Sequence, residues 1–302
     1  MNDEPLDGSD LTVSRVGLGC NNFGGRLDLE RTRAVVDAAL EVGITFFDTA
    51  DVYGNRGGSE RFLGEVLEGR RNRVVLATKF GNDMGDGLNG TGEYAGRALR
   101  ASLERLRTDH VDLFYYHRPD GVTPLTETLG AMQDLVREGL TRSIGCSNFS
   151  TEQLQEAEDL ARANGGPRFV AVQNHYSLLE RDAEQDVLPL AQRLGVAFVP
   201  YFPLASGLLT GKYRRGEARP TGTRLEGRDI DDETFDRLEA LEAFARERGR
   251  TLLELAIAAL ASQRGIPSVI AGATSPEQVR ANAAAADWDL SEDDLAALAT
   301  IR

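Results

Sequence analysis

Short apolar runs alternate with amphipathic segments along most of the chain. Eight runs rich in β-branched and aromatic residues predict strands, at residues 15–19, 45–48, 74–79, 111–117, 141–147, 169–173, 197–201 and 268–270. Helical periodicity occurs at residues 27–42, 59–67, 95–106, 125–138, 151–163, 183–194, 232–248, 252–264, 276–285 and 292–301. Ser59, Thr151 and Ser275 are predicted helix N-caps. Eight such units predict an α/β fold of the (β/α)8 TIM-barrel type, with extra helices at the C-terminal end.

The connections support a barrel over an open doubly wound sheet. The first strand runs into GLGCNN at 17–22, which lacks the GxGxxG spacing of a dinucleotide-binding sheet. Asp7-Gly8 between short runs predicts a small N-terminal hairpin that plugs the barrel floor. Residues 214–232 are polar and Gly-rich, and we expect them to form a mobile loop over the site. No domain boundary is evident, so residues 1–302 are predicted to form a single domain.

Composition narrows the classes of partner. The 302 residues carry a net charge of −14, which argues against nucleic acid and anionic membrane surfaces as partners. No stretch approaches twenty uninterrupted apolar residues, and the N-terminus is acidic and polar, so neither a spanning helix nor a secretory signal is expected. The two cysteines lie far apart in sequence, which favours a reducing, cytoplasmic location.

Lysine is nearly absent from the chain. Among 34 basic residues, only Lys79 and Lys212 are lysines. A composition bias that replaces Lys by Arg wherever either will do explains the excess of arginine. The two remaining lysines then mark positions where a compact ammonium, whose pKa shifts readily on burial, is required.

Ionisable side chains stand at the predicted strand ends, where barrel enzymes place their chemistry. Singly, Asp48, Lys79 and His117 are explained as a cap, an ion-pair partner and a core histidine, and Tyr53 as loop packing. Together they predict a site where Lys79, held by Asp48, lowers the pKa of Tyr53 from about 10. Tyr53 then donates a proton to a substrate oxygen that His117 also contacts. The alternative is a Schiff base formed by Lys79.

The second half of the chain offers groups suited to a nucleotide. Ser147, Asn148 and Gln173 end strands and suit a carboxamide, and Tyr201 offers a face for stacking. The Gly-bounded turn at 207–212 and the helix start at 272–275 suit phosphate. Ordinary turn chemistry also explains these Gly-rich pieces. Together the groups predict a nicotinamide dinucleotide lying across the barrel top.

These residues occur in motifs that resemble the aldo-keto reductase superfamily, in its bacterial and potassium-channel β-subunit branch. The matching motifs are FDTADVYG at 47–54, ATK at 77–79, YYH at 115–117, GCSNF at 145–149, VQN at 172–174, YFPL at 201–204 and GLLTGKY at 207–213. The resemblance implies a (β/α)8 barrel that reduces an aldehyde or ketone, such as a sugar or small aldehyde. It places the catalytic tetrad on Asp48, Tyr53, Lys79 and His117. A nucleotide-sensing regulatory subunit with little turnover is the alternative.

The resemblance also implies a set of cofactor contacts. They fall on Ser147, Asn148, Gln173, Tyr201, Leu204, Ser206, Lys212, Arg224, Gly272, Thr274, Gln278 and Asn282. Gly272 and Gln278 replace the Lys and Arg that aldose-reductase-type members place against the 2′-phosphate, yet this branch usually takes NADPH, so NADPH is expected over NADH. Arg280 is expected to face solvent.

The expected partner is a small carbonyl compound, with no metal, and the oligomeric state is left open. Substrate contacts are expected from Asn22, Phe23 and Arg118. For Arg118, a surface ion pair with Asp120 or another nearby carboxylate is the competing interpretation.

Overall fold

The structure is a computed structural model that describes residues 2–218 and 220–301. Its strands are β1 Asp3–Pro5, β2 Thr12–Ser14, β3 Val16–Gly19, β4 Phe46–Asp48, β5 Val75–Phe80, β6 Val111–Tyr116, β7 Thr141–Ser147, β8 Phe169–Gln173, β9 Ala197–Phe198 and β10 Val269–Gly272. Strands β3 to β10 form one parallel sheet, in the order β10-β3-β4-β5-β6-β7-β8-β9. All eight predicted strands are present, with bounds that differ by a few residues.

The two ends of this sheet meet and close the barrel. The backbone N–H of Ile270, in β10, donates to the carbonyl of Pro200 at 3.0 Å, and Tyr201 forms a parallel bridge with Ile270. Strand β9 is shorter than predicted because the chain after Phe198 leaves the regular ladder to make this closure. The (β/α)8 prediction is confirmed.

Helices follow the strands and surround the barrel. They are α1 Leu29–Glu41, α2 Tyr53–Val66, α3 Gly92–Leu106, α4 Leu125–Arg137, α5 Thr151–Asn164, α6 Val187–Leu194, α7 Asp232–Glu247, α8 Leu252–Ala261, α9 Pro276–Ala285 and α10 Glu292–Leu298. None of the helices within 2–218 and 220–301 is both long and apolar enough to cross a membrane.

The helix N-termini follow the predictions in part. Ser275 caps α9, as predicted, and its hydroxyl accepts from the backbone of Gln278. The cap of α5 is Ser150, one residue before the predicted Thr151, because it forms a reciprocal capping box with Gln153. Ser59 is not a cap, since its hydroxyl instead donates to the Cys20 carbonyl at 2.9 Å.

The barrel interior and the barrel floor are apolar. Strands β1 and β2 pair as the predicted antiparallel hairpin. Leu6 and Leu11 in its turn and Val13 in β2 are buried in the same cluster as barrel residues such as Phe46 and Leu113, so the hairpin closes the floor. A larger cluster fills the space between the strands and the helices. The polar side chains of the predicted site lie at the opposite, carboxyl end of the strands.

Candidate active site

A cavity of about 670 Å3 opens at the carboxyl ends of the strands. Its volume lies within the range of about 300–1,000 Å3 that is usual for small-molecule sites. Most of the predicted site residues line it, namely Asn22, Asp48, Tyr53, His117, Arg118, Ser147, Asn148, Gln173, Tyr201, Leu204, Ser206, Lys212, Arg224, Gly272, Thr274, Gln278 and Asn282. These predicted residues come from seven of the eight barrel strands or their following loops, so the topology gathers them at one mouth.

A buried ion pair stands at the floor of this cavity. Lys79 is fully buried, and its Nζ donates to Oδ2 of Asp48 at 2.6 Å and to the Thr49 carbonyl at 2.9 Å. Gln173 donates to the other Asp48 oxygen at 2.9 Å. Burial opposes the charge of Lys79, but Asp48 and Tyr53 outweigh it and raise the pKa of Lys79. The ammonium therefore stays charged without contact with water.

Tyr53 lies directly against this ammonium. Lys79 Nζ is 5.1 Å from the centre of the Tyr53 ring. Burial raises the pKa of Tyr53 above its usual 10, and the charge of Lys79 reduces this rise without reversing it. The predicted net lowering is therefore wrong. The consequence is a phenol that is protonated at neutral pH and lies beside a fixed positive charge.

A left-handed turn follows Tyr53 before the regular part of α2. Residues 54–57 all have φ between 57° and 96°. A Cβ on Gly54 would lie 2.3 Å from the Phe23 carbonyl oxygen and 2.5 Å from the Ser59 nitrogen, so only glycine fits there. This close packing fixes the backbone that carries Tyr53 to the loop after β3.

His117 meets the Tyr53 ring edge-to-face, with ring centres 5.8 Å apart. Burial, with the charges of Lys79 and Arg118, lowers the pKa of His117 to about 3. The imidazole is therefore neutral at physiological pH. Its buried Nδ1 has no hydrogen-bond partner in the described part of the chain, and the residue lines the cavity.

The predicted carboxamide contacts hold one another in a network. Asn148 has φ of 59°, and its amide nitrogen donates to the His117 carbonyl at 2.9 Å and to Ser147 Oγ at 3.1 Å. The Ser147 hydroxyl donates to the Gln173 carbonyl at 2.7 Å. Tyr201 donates to the Asn148 side-chain oxygen at 2.7 Å. The side-chain oxygens of this network have further lone pairs, and Gln173 has a second amide N–H. The network can therefore both donate to and accept from an amide ligand.

Next to this network lie an aromatic face and a cation. The ring of Tyr201 stacks on His175, with centres 5.5 Å apart and planes 9° apart. Ala205, Ser206 and Gly207 all have positive φ, which bends the chain beneath Lys212. A Cβ on Gly207 would lie 2.9 Å from Lys212 Nζ, so the ammonium rests directly on this turn.

The segment after β10 forms a helix N-terminus on the cavity wall. The backbone N–H of Thr274 donates to Gln278 Oε1 at 2.8 Å, and the Thr274 hydroxyl donates to the same oxygen at 3.1 Å. Arg280 is turned away from the cavity and pairs with Glu41 at 2.8 Å. The N-terminal turn of α9 is therefore the part of this helix that could hold an anion.

Two of the three predicted substrate contacts line the cavity, and the third does not. Asn22 lines the cavity and donates to the Ala273 carbonyl at 3.2 Å. Phe23 does not reach it, because its ring is fully buried in the core between barrel and helices. Arg118 is exposed on the cavity wall and has no carboxylate within 4 Å in residues 2–218 and 220–301, so the expected pair with Asp120 does not form.

The sequence comparison decides the family. The sequence model described as "Aldo/keto reductase family" matches residues 15–302.

The chain belongs to the aldo-keto reductase family.

Full-length relatives agree with this membership. A probable voltage-gated potassium channel subunit beta of Oryza sativa subsp. japonica is 36% identical over 297 residues, which is 93% of this chain and 90% of the relative. The L-glyceraldehyde 3-phosphate reductase of Escherichia coli (strain K12) is 33% identical over 91% of this chain and 84% of the relative. The aldo-keto reductase YhdN of Bacillus subtilis (strain 168) is 33% identical over 96% and 90%, respectively. The protein is therefore an oxidoreductase, of a family that typically uses NAD(P)H.

Sequence reasoning missed several residues on the wall of this aldo-keto reductase. Asn82 and Arg26 line the cavity, as does Phe202, which is 42% exposed. Asn82 follows β5, so the strand-end rule that selected Lys79 could have found it. Arg26 had no such signal, because it lies in the turn after β3 and reaches the site by donating a hydrogen bond to the Gly222 carbonyl of the long loop.

Proposed function

We propose that this aldo-keto reductase reduces an aldehyde or ketone to the alcohol with NADPH, and that Tyr53 is the proton donor. The observation that supports it is the buried Lys79–Asp48 pair packed against a protonated Tyr53 at the cavity floor. His117 adds a neutral imidazole to the same place. This set of groups suits a reaction in which negative charge develops on one oxygen.

Each residue of the tetrad has a distinct task in this proposal. A reduced nicotinamide, when bound, supplies the hydride that adds to the carbonyl carbon. Tyr53 transfers its hydroxyl proton to the carbonyl oxygen, and Lys79 stabilises the tyrosinate that remains. Asp48 holds the ammonium in place. His117, which is neutral, hydrogen-bonds to the same oxygen and orients it.

The cofactor-binding residues divide by the part of the molecule they suit. Ser147, Asn148 and Gln173 are assigned to the carboxamide, and Tyr201 is assigned to stacking on the nicotinamide ring. Phosphate contacts are assigned to the cavity-lining residues near Lys212 and at the start of α9, namely Leu204, Ser206, Lys212, Arg224, Gly272, Thr274, Gln278 and Asn282. The choice of NADPH over NADH rests on the motif resemblance. The cations Lys212 and Arg224 on this wall also favour NADPH, because it carries an additional phosphate.

A second candidate follows from one of the relatives. Since the Oryza sativa relative is named as a probable channel subunit, a regulatory protein that binds nucleotide with little turnover is the competing function. The two candidates share the cofactor site and differ in whether repeated turnover occurs.

Binding and turnover measured together test the proposal. We expect the nicotinamide fluorescence of NADPH to report tight binding and NADH to bind more weakly. With an excess of aldehyde, NADPH should be consumed over many cycles. Tight binding followed by less than one turnover per site would favour the regulatory function, and binding of neither nucleotide would overturn the cofactor assignment.

A further inference from the structure

The cavity wall is strongly cationic although the protein is acidic. Its lining includes four basic side chains, namely Arg26, Arg118, Lys212 and Arg224. Among the described residues of the lining, the one carboxylate is that of Asp48, which is already paired with Lys79. The chain as a whole carries a net charge of −14. Such a local excess of positive charge attracts anionic ligands into the mouth.

The cofactor accounts for only part of this charge if it binds as proposed above. Lys212 follows β9 and Thr274 follows β10, and these strands meet where the barrel closes. Arg118 follows β6, which is four strands from β10 in one direction and three strands from β9 in the other. Arg118 therefore comes from a strand that at least two other strands separate from those of the proposed phosphate contacts.

Arg118 is available to bind a ligand. Asp120, its nearest acidic neighbour in sequence, accepts hydrogen bonds from Gly90 N–H at 2.8 Å and from the Thr123 hydroxyl at 2.6 Å. This carboxylate is therefore occupied in holding its own loop. The charge of Arg118 acts instead on His117 and Tyr201, and it contributes to the lowered pKa of His117. Arg118 also directly follows His117 and lines the same cavity, so it shares the site with the reacting groups.

The neighbouring loop brings a second polar side chain to the cavity. Asn82 lines the cavity after β5, the strand next to β6. The two loops are in contact, because a Cβ on Gly81 would lie 3.5 Å from the Arg118 carbonyl oxygen. A guanidinium fork with a neighbouring amide is a suitable donor set for carboxylate or phosphate oxygens.

We propose that the carbonyl substrate of this reductase carries an anionic group, either a carboxylate or a phosphate, that Arg118 binds together with Asn82. The inference rests on the proposed reductase function and names the class of substrate for the same site. Arg118 is a specificity-determining residue in this account, since it contacts the substrate away from the carbonyl.

Matched substrate pairs test this inference. Glyceraldehyde 3-phosphate is compared with glyceraldehyde, and succinic semialdehyde with butanal, at saturating NADPH. We expect kcat/KM to favour the anionic member of at least one pair by tenfold or more, and the pair with the larger preference identifies phosphate or carboxylate. Arg118→Gln should reduce that preference at least tenfold, mainly through KM. Arg193→Gln, which removes the same charge from the exposed end of α6, should leave the preference unchanged.

Inhibition by inorganic phosphate gives a second readout that does not depend on finding the right substrate. Phosphate should compete with butanal in the wild type at saturating NADPH, and Arg118→Gln should weaken this competition at least tenfold. Turnover of neutral aldehydes with no anion preference would refute the inference and leave the reductase proposal intact. An equal loss on both members of each pair in Arg118→Gln would also refute it. Binding of NADPH without turnover of any carbonyl compound would refute both proposals.

Discussion

The two sides of the cavity mouth are built differently. On the side of β4 to β6, Asp48, Lys79 and His117 are buried to 8% exposure or less. On the side of β9 and β10, Gln278 and Arg224 are exposed and come from a helix start and a loop. Proton transfer needs groups fixed in a dry environment that sets their pKa values, whereas nucleotide binding needs donors and cations that a large ligand can reach.

The backbone explains this contrast. Strands β5 and β6 have six residues each and pair over their last four, so Lys79 lies in a continuous ladder and His117 directly follows it. Strand β9 has two residues, and the chain beyond it contains three consecutive positive-φ residues and then the long loop. The buried side is therefore preorganised, and the open side can adjust to its ligand. Four substitutions, with effects that we expect to decrease in turn, test this division.

Lys79→Met should have the largest effect, because it leaves Asp48 buried without its charge partner. Breaking a buried pair in this way costs about 3–5 kcal/mol, and the rate of reduction should fall by about a thousandfold or more. Urea unfolding and single-turnover kinetics measure the two losses. The double variant Asp48→Asn with Lys79→Met should regain stability relative to Lys79→Met and remain inactive. A double variant no more stable than the single variant would contradict this account of the pair.

Asp51→Asn tests the buried side through pH. Both Asp51 carboxylate oxygens are buried without a partner in the described residues, and burial, with the charge of Glu60, raises the pKa of Asp51 to about 7. Arg105 and Lys79 act in the opposite direction, and Tyr94 is near enough for Asp51 to shift its pKa. In the unfolded chain the same carboxyl ionises near pH 4. Between about pH 4 and pH 7 the unfolded state therefore loses its proton while the folded state keeps it, and the free energy of unfolding falls by on the order of 4 kcal/mol.

The expected result is therefore a change that depends on pH. We compare the free energy of unfolding of Asp51→Asn with that of wild type at each pH. The difference in favour of the variant should be larger at pH 8 than at pH 4 by a few kcal/mol. Asp10→Asn, an exposed matched control, should show no such difference. An equal change at both pH values would mean that the Asp51 carboxyl is not held protonated by burial.

Lys212→Met tests the open side. Removing the ammonium should weaken NADPH binding by about 10- to 100-fold, as expected for loss of a charge-assisted hydrogen bond, while stability stays near wild type. Fluorescence titration and thermal melting measure these quantities. Arg246→Met, which removes a cation from the surface of α7, is the control. Unchanged affinity in Lys212→Met would remove Lys212 from the phosphate site.

Gln278→Glu should have the smallest effect. The Thr274 N–H and hydroxyl donate to the Gln278 side-chain oxygen, and a glutamate oxygen can accept the same bonds. The substitution therefore adds negative charge with little change of shape. We expect the ratio of NADPH to NADH affinity to fall several-fold, as measured by titration with each nucleotide. Equal weakening of both would place Gln278 away from the 2′-phosphate.

Strand periodicity was sufficient to predict that the strand-end side chains meet at the mouth. In a barrel the carboxyl ends of all parallel strands share one face, so locating Lys79, His117 and Gln173 at strand ends also located them in space. The hairpin was predictable for a similar reason, because its Asp-Gly turn is local chemistry.

Properties that depend on packing could not be predicted in this way. The direction of the Phe23 ring depends on how the turn after β3 folds against the core, and the sequence pattern carries no signal for it. The pKa of Tyr53 depends on whether burial or Lys79 dominates, and burial dominates. The freedom of Arg118 depends on the hydrogen bonds that Asp120 makes to its own loop.

One variant separates the chemistry from nucleotide binding. Tyr53→Phe removes the hydroxyl and keeps the ring, so the buried side loses its proton donor and the open side is untouched. In a single turnover followed by NADPH fluorescence, the account predicts a rate of hydride transfer at least about 100-fold below wild type and NADPH affinity within about twofold. A variant that retains more than a tenth of the wild-type rate, a loss below about 1.4 kcal/mol, would contradict the assignment of Tyr53 as proton donor.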